Sequence, residues 1–106
     1  MSKTLDRVLR LIKLGEAIVS DHGYDELAED NIYVRDIMSA MSNASVIEDY
    51  PEYPKGPSVL VLIKDNLGDP IHVVWGIPRD ASSPAVLVTA YRPDAYSWTA
   101  DFLRRK

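Results

Sequence analysis

Residues 58–78 read SVLVLIKDNLGDPIHVVWGIP, and this stretch decides the fold. A β-branched run and a second apolar run flank NLGD (66–69), which supplies the residue types of a turn. Two strands joined by so short a turn are most simply an antiparallel hairpin. The same step repeats through PRDASSP (78–84) to AVLVTAY (85–91), so the sequence predicts an antiparallel β meander.

Helical periodicity precedes the meander. Apolar residues at i, i+3, i+4 and i+7 predict a core-facing helix over about residues 3–19. Ser20 or Asp21 can cap a second, short helix, and Asn31 tolerates the left-handed conformation that often ends a helix. A third helix is predicted over about 34–41 from the spacing of its apolar residues.

The two ends of the meander complete the predicted architecture. VIEDYP (46–51) reads as a short additional strand, stopped by its proline. Pro93 and Asp94 can begin a final helix that runs to the C-terminus, because the N–H that proline lacks is not needed in a first helical turn. We therefore predict an α+β fold in one domain over residues 1–106: N-terminal helices, a three- to four-stranded antiparallel meander, and a C-terminal helix.

The predicted strands lack a polar face. Residues 59–63 and 86–88 are apolar without alternation, whereas an antiparallel sheet usually leaves one side in water. Both faces of the sheet should therefore be covered, either by helices or by a partner protein on one side.

The composition of the chain limits the classes of function that it can have. The net charge is −4, and there is no cysteine. Residues 1–50 hold 5 Lys/Arg against 10 Asp/Glu, and residues 51–106 hold 7 against 6. An acidic chain is a poor default binder of nucleic acid. Without a signal peptide or an apolar run of membrane-spanning length, we expect a cytoplasmic protein that does not bind the membrane.

One polar side chain interrupts an apolar strand. Alternation places His72 with Val74 and Gly76 on the face opposite Ile71 and Val73. The glycine leaves space beside the imidazole, which either a substrate or a crossing segment of chain could fill. His72 is thus either a catalytic or ligand-binding group, or a histidine hydrogen-bonded within the core.

Six segments occur in an order and spacing that resemble the DUF4258 family of small bacterial domains. They are IVSDHGYDELAED (18–30), VIEDYP (46–51), GPSVLVL (56–62), PIHVVWGI (70–77), TAYRPD (89–94), and the C-terminal set Trp98, Asp101, Phe102, Arg104 and Arg105. Asn31 and Tyr33 depart from the family's usual Gly and Ser or Thr at helix-capping positions. The family in turn looks similar to RelE/ParE-like and BrnT-like toxins of toxin–antitoxin pairs.

That resemblance implies a ribonuclease that uses neither a metal nor a cofactor, acts on RNA alone or at the ribosome, and is neutralised by an antitoxin protein. Such an enzyme grips phosphates with cations and moves protons with Tyr, His or an acid. The resemblance places Tyr91 and Arg92 in such a catalytic site, and the strand pattern adds His72 as a third candidate catalytic residue. His22, Arg104 and Arg105 are the candidate substrate-binding residues that the chain offers. These residues can also have purely structural roles. Tyr91 can cover one end of the core, and Arg92 can form an ion pair with an acidic residue.

The second hypothesis is a non-enzymatic protein-binding module or a degenerate toxin fold. The net charge favours it, because toxins that act on RNA tend to be basic. An acidic patch around VIEDYPEYP is a candidate partner-binding edge, formed by Glu48, Asp49 and Glu52 together with Tyr50 and Tyr53.

Overall fold

A computed structural model of the chain describes residues 2–106. Three helices and five strands follow one another in the order α1 Lys3–Lys13, β1 Ala17–Val19, α2 Asp21–Glu29, α3 Val34–Ala40, β2 Ser45–Tyr50, β3 Ser58–Lys64, β4 Pro70–Gly76 and β5 Ala85–Tyr91, with a short 3₁₀ turn, Met41–Asn43, after α3. The predicted α+β class is confirmed. In residues 2–106 no helix is long and apolar enough to cross a membrane.

The sheet is mixed, with the strand order β1-β5-β4-β3-β2. Strands β2 to β5 pair antiparallel in chain order, as the meander requires. However, β1 adds a fifth strand parallel to β5, with Ala17 opposite Ala85. The prediction of a wholly antiparallel sheet with at most four strands is therefore wrong.

The extra strand exists because α1 ends early. Gly15 has φ +75°, a left-handed conformation that glycine adopts without steric cost, and the predicted helix over 3–19 stops at Lys13. The chain then runs alongside β5, where Ala85 N–H donates to the Glu16 carbonyl. The apolar residues that extended the helical periodicity, Ile18 and Val19, belong to β1.

Helix α2 joins the sheet through its first turn. Ser20 caps it, with Oγ accepting from Gly23 N–H and donating to the Val88 carbonyl. A Cβ at Gly23 would lie 2.8 Å from the Leu87 carbonyl oxygen, so only glycine allows this close approach. The helix ends at Glu29, and Asn31, two residues later, takes φ +57°, the left-handed conformation predicted for it.

One face of the sheet, here called the inner face, carries the core. The helices cover it with Leu5, Val8, Leu11, Leu27 and Ile37. The sheet contributes Val59, Val61, Ile63, Ile71, Val73, Trp75, Ala85, Leu87 and Ala90 to this core, and Ile77 follows directly after β4. The opposite, outer face carries the alternate residues, His72 among them.

The predicted C-terminal helix is absent. Residues 92–106 form turns and one isolated β-bridge between Trp98 and Arg105. Asp94 accepts from the N–H groups of the second and third residues after it, and Asp101 accepts from Leu103 N–H. Short acidic side chains of this kind compete with helical hydrogen bonding. Phe102, at φ +61°, is incompatible with a continuing helix.

Candidate functional site

His72 lies on the outer face of the sheet and is completely buried. Its neighbours in the register are Leu62 on β3 and Tyr91 on β5. The Tyr91 hydroxyl lies 3.2 Å from Nδ1, and the Phe102 carbonyl oxygen lies 2.8 Å from Nε2. Both ring nitrogens are therefore occupied within the chain.

These partners define the tautomer of the imidazole. A carbonyl oxygen only accepts, so Nε2 must carry the hydrogen, and in the neutral ring Nδ1 accepts from the Tyr91 hydroxyl. Burial lowers the pKa of His72; the hydrogen bond to Phe102 raises it in part, and the positive charge of Arg105 lowers it further. The histidine is consequently held neutral at physiological pH.

Tyr91 is half-buried beside this ring, and the two rings meet edge to face with centroids 5.3 Å apart. Burial is the main cause that raises the pKa of the Tyr91 phenol. The pair therefore joins a neutral phenol to a neutral imidazole, and neither carries a charge with which to grip a phosphate.

The irregular C-terminus encloses the pair. We call residues 93–106 the C-terminal cover. Trp98 is 5% exposed, and its ring meets His72 edge to face at a centroid distance of 4.4 Å. The Arg105 guanidinium lies 4.8 Å from the Trp98 ring centroid and 3.5 Å from Glu48 on β2. The cover thus spans the outer face from β4 to the edge strand.

Arg92 does not join His72 and Tyr91. Its guanidinium donates to Asp65 Oδ2 at 2.9 Å and to the Asp30 carbonyl, and its backbone N–H donates to the Asp30 carboxylate. The hydrogen bond from the Asp69 backbone N–H is the main cause that lowers the pKa of Asp65, and the hydrogen bond from the Arg92 guanidinium lowers it further. Arg92 therefore ties the end of β5 to α2 and to the β3–β4 turn.

The three predicted substrate-binding residues are dispersed. His22 lies on α2, is 68% exposed and pairs with Glu26 at 3.2 Å. Since α2 packs on the inner face, the sheet separates His22 from His72. Arg104 is exposed beside Thr99, and Arg105 is engaged with Trp98 and Glu48 as described. Of the six predicted site residues, the fold brings only His72, Tyr91 and Arg105 together.

A second feature of the outer face was not predicted. Beyond the cover, a groove of about 550 Å³ opens over β4 and β5, and we call it the outer groove. It is lined by Tyr53, Lys55, Gly56, Ser58, Val74, Gly76, Ile77, Pro78, Val86 and Val88. Val88 is 38% exposed there, whereas the corresponding apolar residues of the inner face are buried.

Sequence signals for these residues were present but ambiguous. Gly76 indicates space on the same strand face as His72, but the β5 side chains that share this space depend on a register shift between β4 and β5. The contacts of Trp98 and Phe102 with His72 have no such signal, because the irregular C-terminal segment that carries them follows no periodic pattern.

Fold and site together define a small α+β domain whose mixed sheet is covered by helices on one face and partly by its own C-terminus on the other. The chain belongs to the family described as "Domain of unknown function (DUF4258)", whose profile matches residues 19–92. The predicted membership is confirmed, and the likeness to RelE/ParE-like or BrnT-like toxins stays a prediction. No curated protein and no solved structure matches the chain. Helix α1 and the C-terminal cover lie outside the matched residues.

Proposed function

We propose that this protein is a non-enzymatic protein-binding module that holds an apolar segment of a partner protein in the outer groove. The proposal rests on the contrast between the buried His72 and the open outer groove, which lie on the same face of the sheet. The histidine expected to do chemistry is sealed with both nitrogens bonded, while an apolar groove beside it stays open. Open apolar surface rimmed by polar residues is typical of protein interaction sites.

The floor of the groove supports this function. Val74, Gly76, Val86 and Val88 present aliphatic surface on two neighbouring strands. A Cβ built on Gly76 would meet nothing closer than the Val88 methyl at 3.6 Å, so the fold itself does not require a glycine there. Its absent side chain leaves room for a side chain of the partner.

The rim indicates the chemistry of the partner. Lys55 lines the groove and forms no ion pair within residues 2–106, and Tyr53 beside it is exposed. The fitting segment therefore combines aliphatic side chains for the floor with a carboxylate for the Lys55 ammonium.

A displayed peptide library panned against the purified full-length chain tests the proposal. We expect enrichment of peptides with two or more aliphatic residues next to Asp or Glu. Gly76→Leu should fill the groove and weaken their binding at least about tenfold, a change of about 1.4 kcal/mol. Tyr96→Ala, at an exposed position outside the groove, should not change it.

Two results would contradict the groove as the binding site. The first is that no peptide is enriched on the wild-type protein relative to panning of the same library on Gly76→Leu. The other is equal binding by both proteins, provided that Gly76→Leu melts as cooperatively as the wild type.

A second candidate function, a toxin-like metal-independent ribonuclease, is favoured by the direct hydrogen bond between Tyr91 and His72 Nδ1. A phenol joined to a neutral imidazole can pass a proton to and from a 2′-hydroxyl. On this proposal the chain would act on RNA, alone or at the ribosome, and an antitoxin protein would restrain it. The cover would have to open before any substrate reached the pair.

Induced expression in a bacterial host separates the two candidates. The ribonuclease predicts arrested growth and cleaved mRNA with the wild type, and relief by Tyr91→Phe. Normal growth with intact RNA, at good soluble expression, would exclude it and leave the binding function standing.

A further inference from the structure

The C-terminal cover contacts the outer face through groups typical of a bound peptide. We propose that the surface beneath it, formed by His72, Tyr91 and Glu48, is a second peptide-binding site for a partner segment that carries an aromatic side chain followed by a cation. The cover is the resident ligand of this site. The inference extends the proposed protein-binding function and rests on it for the class of partner, but it does not depend on the outer groove.

The contacts at His72 resemble recognition more than ordinary packing. A backbone carbonyl accepts from Nε2, and an aromatic edge lies against the ring, so the site uses one hydrogen bond and one directional aromatic contact. A purely structural cover over a β-sheet face needs only apolar side chains. The buried imidazole instead demands an acceptor from whatever occupies the site, because an unpaired N–H there would be costly.

The cover is built so that it can be displaced. Between residues 93 and 106 there is no helix and no strand of the sheet, only turns closed by Asp94 and Asp101 and one isolated bridge. Its ion pair between Arg105 and Glu48 is partly solvent-exposed, with the two side chains 65% and 34% exposed, and exposed pairs contribute little. Phe102 presents its carbonyl to His72 from a left-handed conformation that disfavours a residue with a Cβ.

The resident contacts specify the partner. A turn must offer a free backbone carbonyl, an aromatic ring must reach the imidazole, and a cation must lie near Glu48. In the cover these are Phe102, Trp98 and Arg105. Since the cover is tethered directly to β5, its effective concentration is high, and a free peptide competes poorly until the anchor is weakened.

The experiment uses the full-length chain and a fluorescent peptide with the sequence of residues 93–106, PDAYSWTADFLRRK. In Trp98→Ala the resident ring is missing, so we expect saturable binding of the peptide by fluorescence anisotropy. The wild type should bind at least tenfold more weakly, because its own cover occupies the site. Tyr96→Ala keeps Trp98 and should behave like the wild type.

Two controls make the result decisive. A peptide with alanine at the tryptophan position should lose binding to Trp98→Ala. Adding Gly76→Leu to Trp98→Ala should leave binding of the unchanged peptide intact, because the outer groove is a different site. Trp75 is then the remaining tryptophan, and its fluorescence reports that the core is folded.

The inference is overturned if folded Trp98→Ala binds no peptide, since the cover would then be only a structural element. It is also overturned if Gly76→Leu abolishes the binding, because the peptide would then sit in the outer groove. Neither result touches the groove function, which the display experiment tests with the cover in place.

Discussion

Replacing Trp98 by alanine tests whether one side chain anchors the C-terminal cover. The tryptophan is 5% exposed and contacts His72 and Arg105. A side chain of this size buries about 200 Å², equivalent to about 5 kcal/mol at 25 cal/mol per Å². A compact unfolded chain already buries roughly 10–40% of that area. We therefore expect Trp98→Ala to lower the free energy of unfolding by about 3–4 kcal/mol.

Urea unfolding and thermal melts measure this loss. For a domain of about 100 residues, the expected change lowers the melting temperature by roughly 12–30 °C. Tyr96→Ala is the matched control, because Tyr96 is an aromatic residue of the same cover and is 90% exposed. Its free energy of unfolding should change by no more than about 0.5 kcal/mol.

The state of His72 gives an independent readout. In the wild type, burial lowers the pKa of this imidazole. If Trp98→Ala opens the cover, water reaches the ring and its pKa should rise toward the ordinary value of about 6.5. An NMR titration of the His72 ring in the wild type, Trp98→Ala and Tyr96→Ala follows this change. The anchoring role of Trp98 would be refuted if Trp98→Ala and Tyr96→Ala lost the same free energy of unfolding and the pKa of His72 did not change in Trp98→Ala.

Three other changes probe separate parts of the fold. His72→Leu leaves its two half-buried partners, the Tyr91 hydroxyl and the Phe102 carbonyl, unpaired and should cost about 1–3 kcal/mol. Because the folded-state pKa of His72 is lowered, its contribution to stability is complete above about pH 6.5 and falls as the pH drops. Urea unfolding at pH 7 and pH 5 should therefore show a steeper loss of stability in the wild type than in the variant. Asp65→Ala removes the acceptor of two backbone N–H groups and of the Arg92 guanidinium. Chemical unfolding should therefore show a free energy of unfolding lower by about 1–3 kcal/mol. An unchanged unfolding midpoint would mean that the Asp65 carboxylate does not hold this turn. Gly23→Ala should lower the melting temperature despite a helix-propensity gain of about 1 kcal/mol, because its Cβ would lie 2.8 Å from a β5 carbonyl oxygen. The control Gly76→Ala should not lower it, because the Cβ there would have 3.6 Å of clearance. Equal melting temperatures for the two variants would show that α2 does not approach β5 so closely.

Local chemistry accounts for the parts of the fold that could be predicted. The β3–β4 hairpin, the Ser20 cap and the left-handed Asn31 each depend on residues within a few positions of one another. The helix predictions at the two ends of the chain are wrong for a similar reason. Ile18 continues the apolar spacing of α1, but the left-handed Gly15 ends that helix, and turns closed by Asp94 and Asp101 replace the predicted C-terminal helix.

The candidate site was less predictable because its parts come from distant segments. The pairing of His72 with Tyr91 follows from strand register, and the sequence singled out both residues. The partner on Nε2 is a backbone carbonyl, which has no signature in residue type. The ion pair of Arg92 with Asp65 joins residues 27 positions apart and removes a predicted catalytic cation from the site.

The sequence by itself determined the α+β class and the β2–β5 meander, because periodicity and turn chemistry act over short distances. The predicted cover on both faces of the strands is only partial, since the outer groove leaves Val88 exposed. It also determined that His72 would lie opposite the core residues of β4, since side chains alternate along a strand. Only the tertiary structure decided what covers that histidine and what stays open. Trp98, Phe102 and Arg105 reach it through an irregular segment, and no local pattern encodes where such a segment comes to rest.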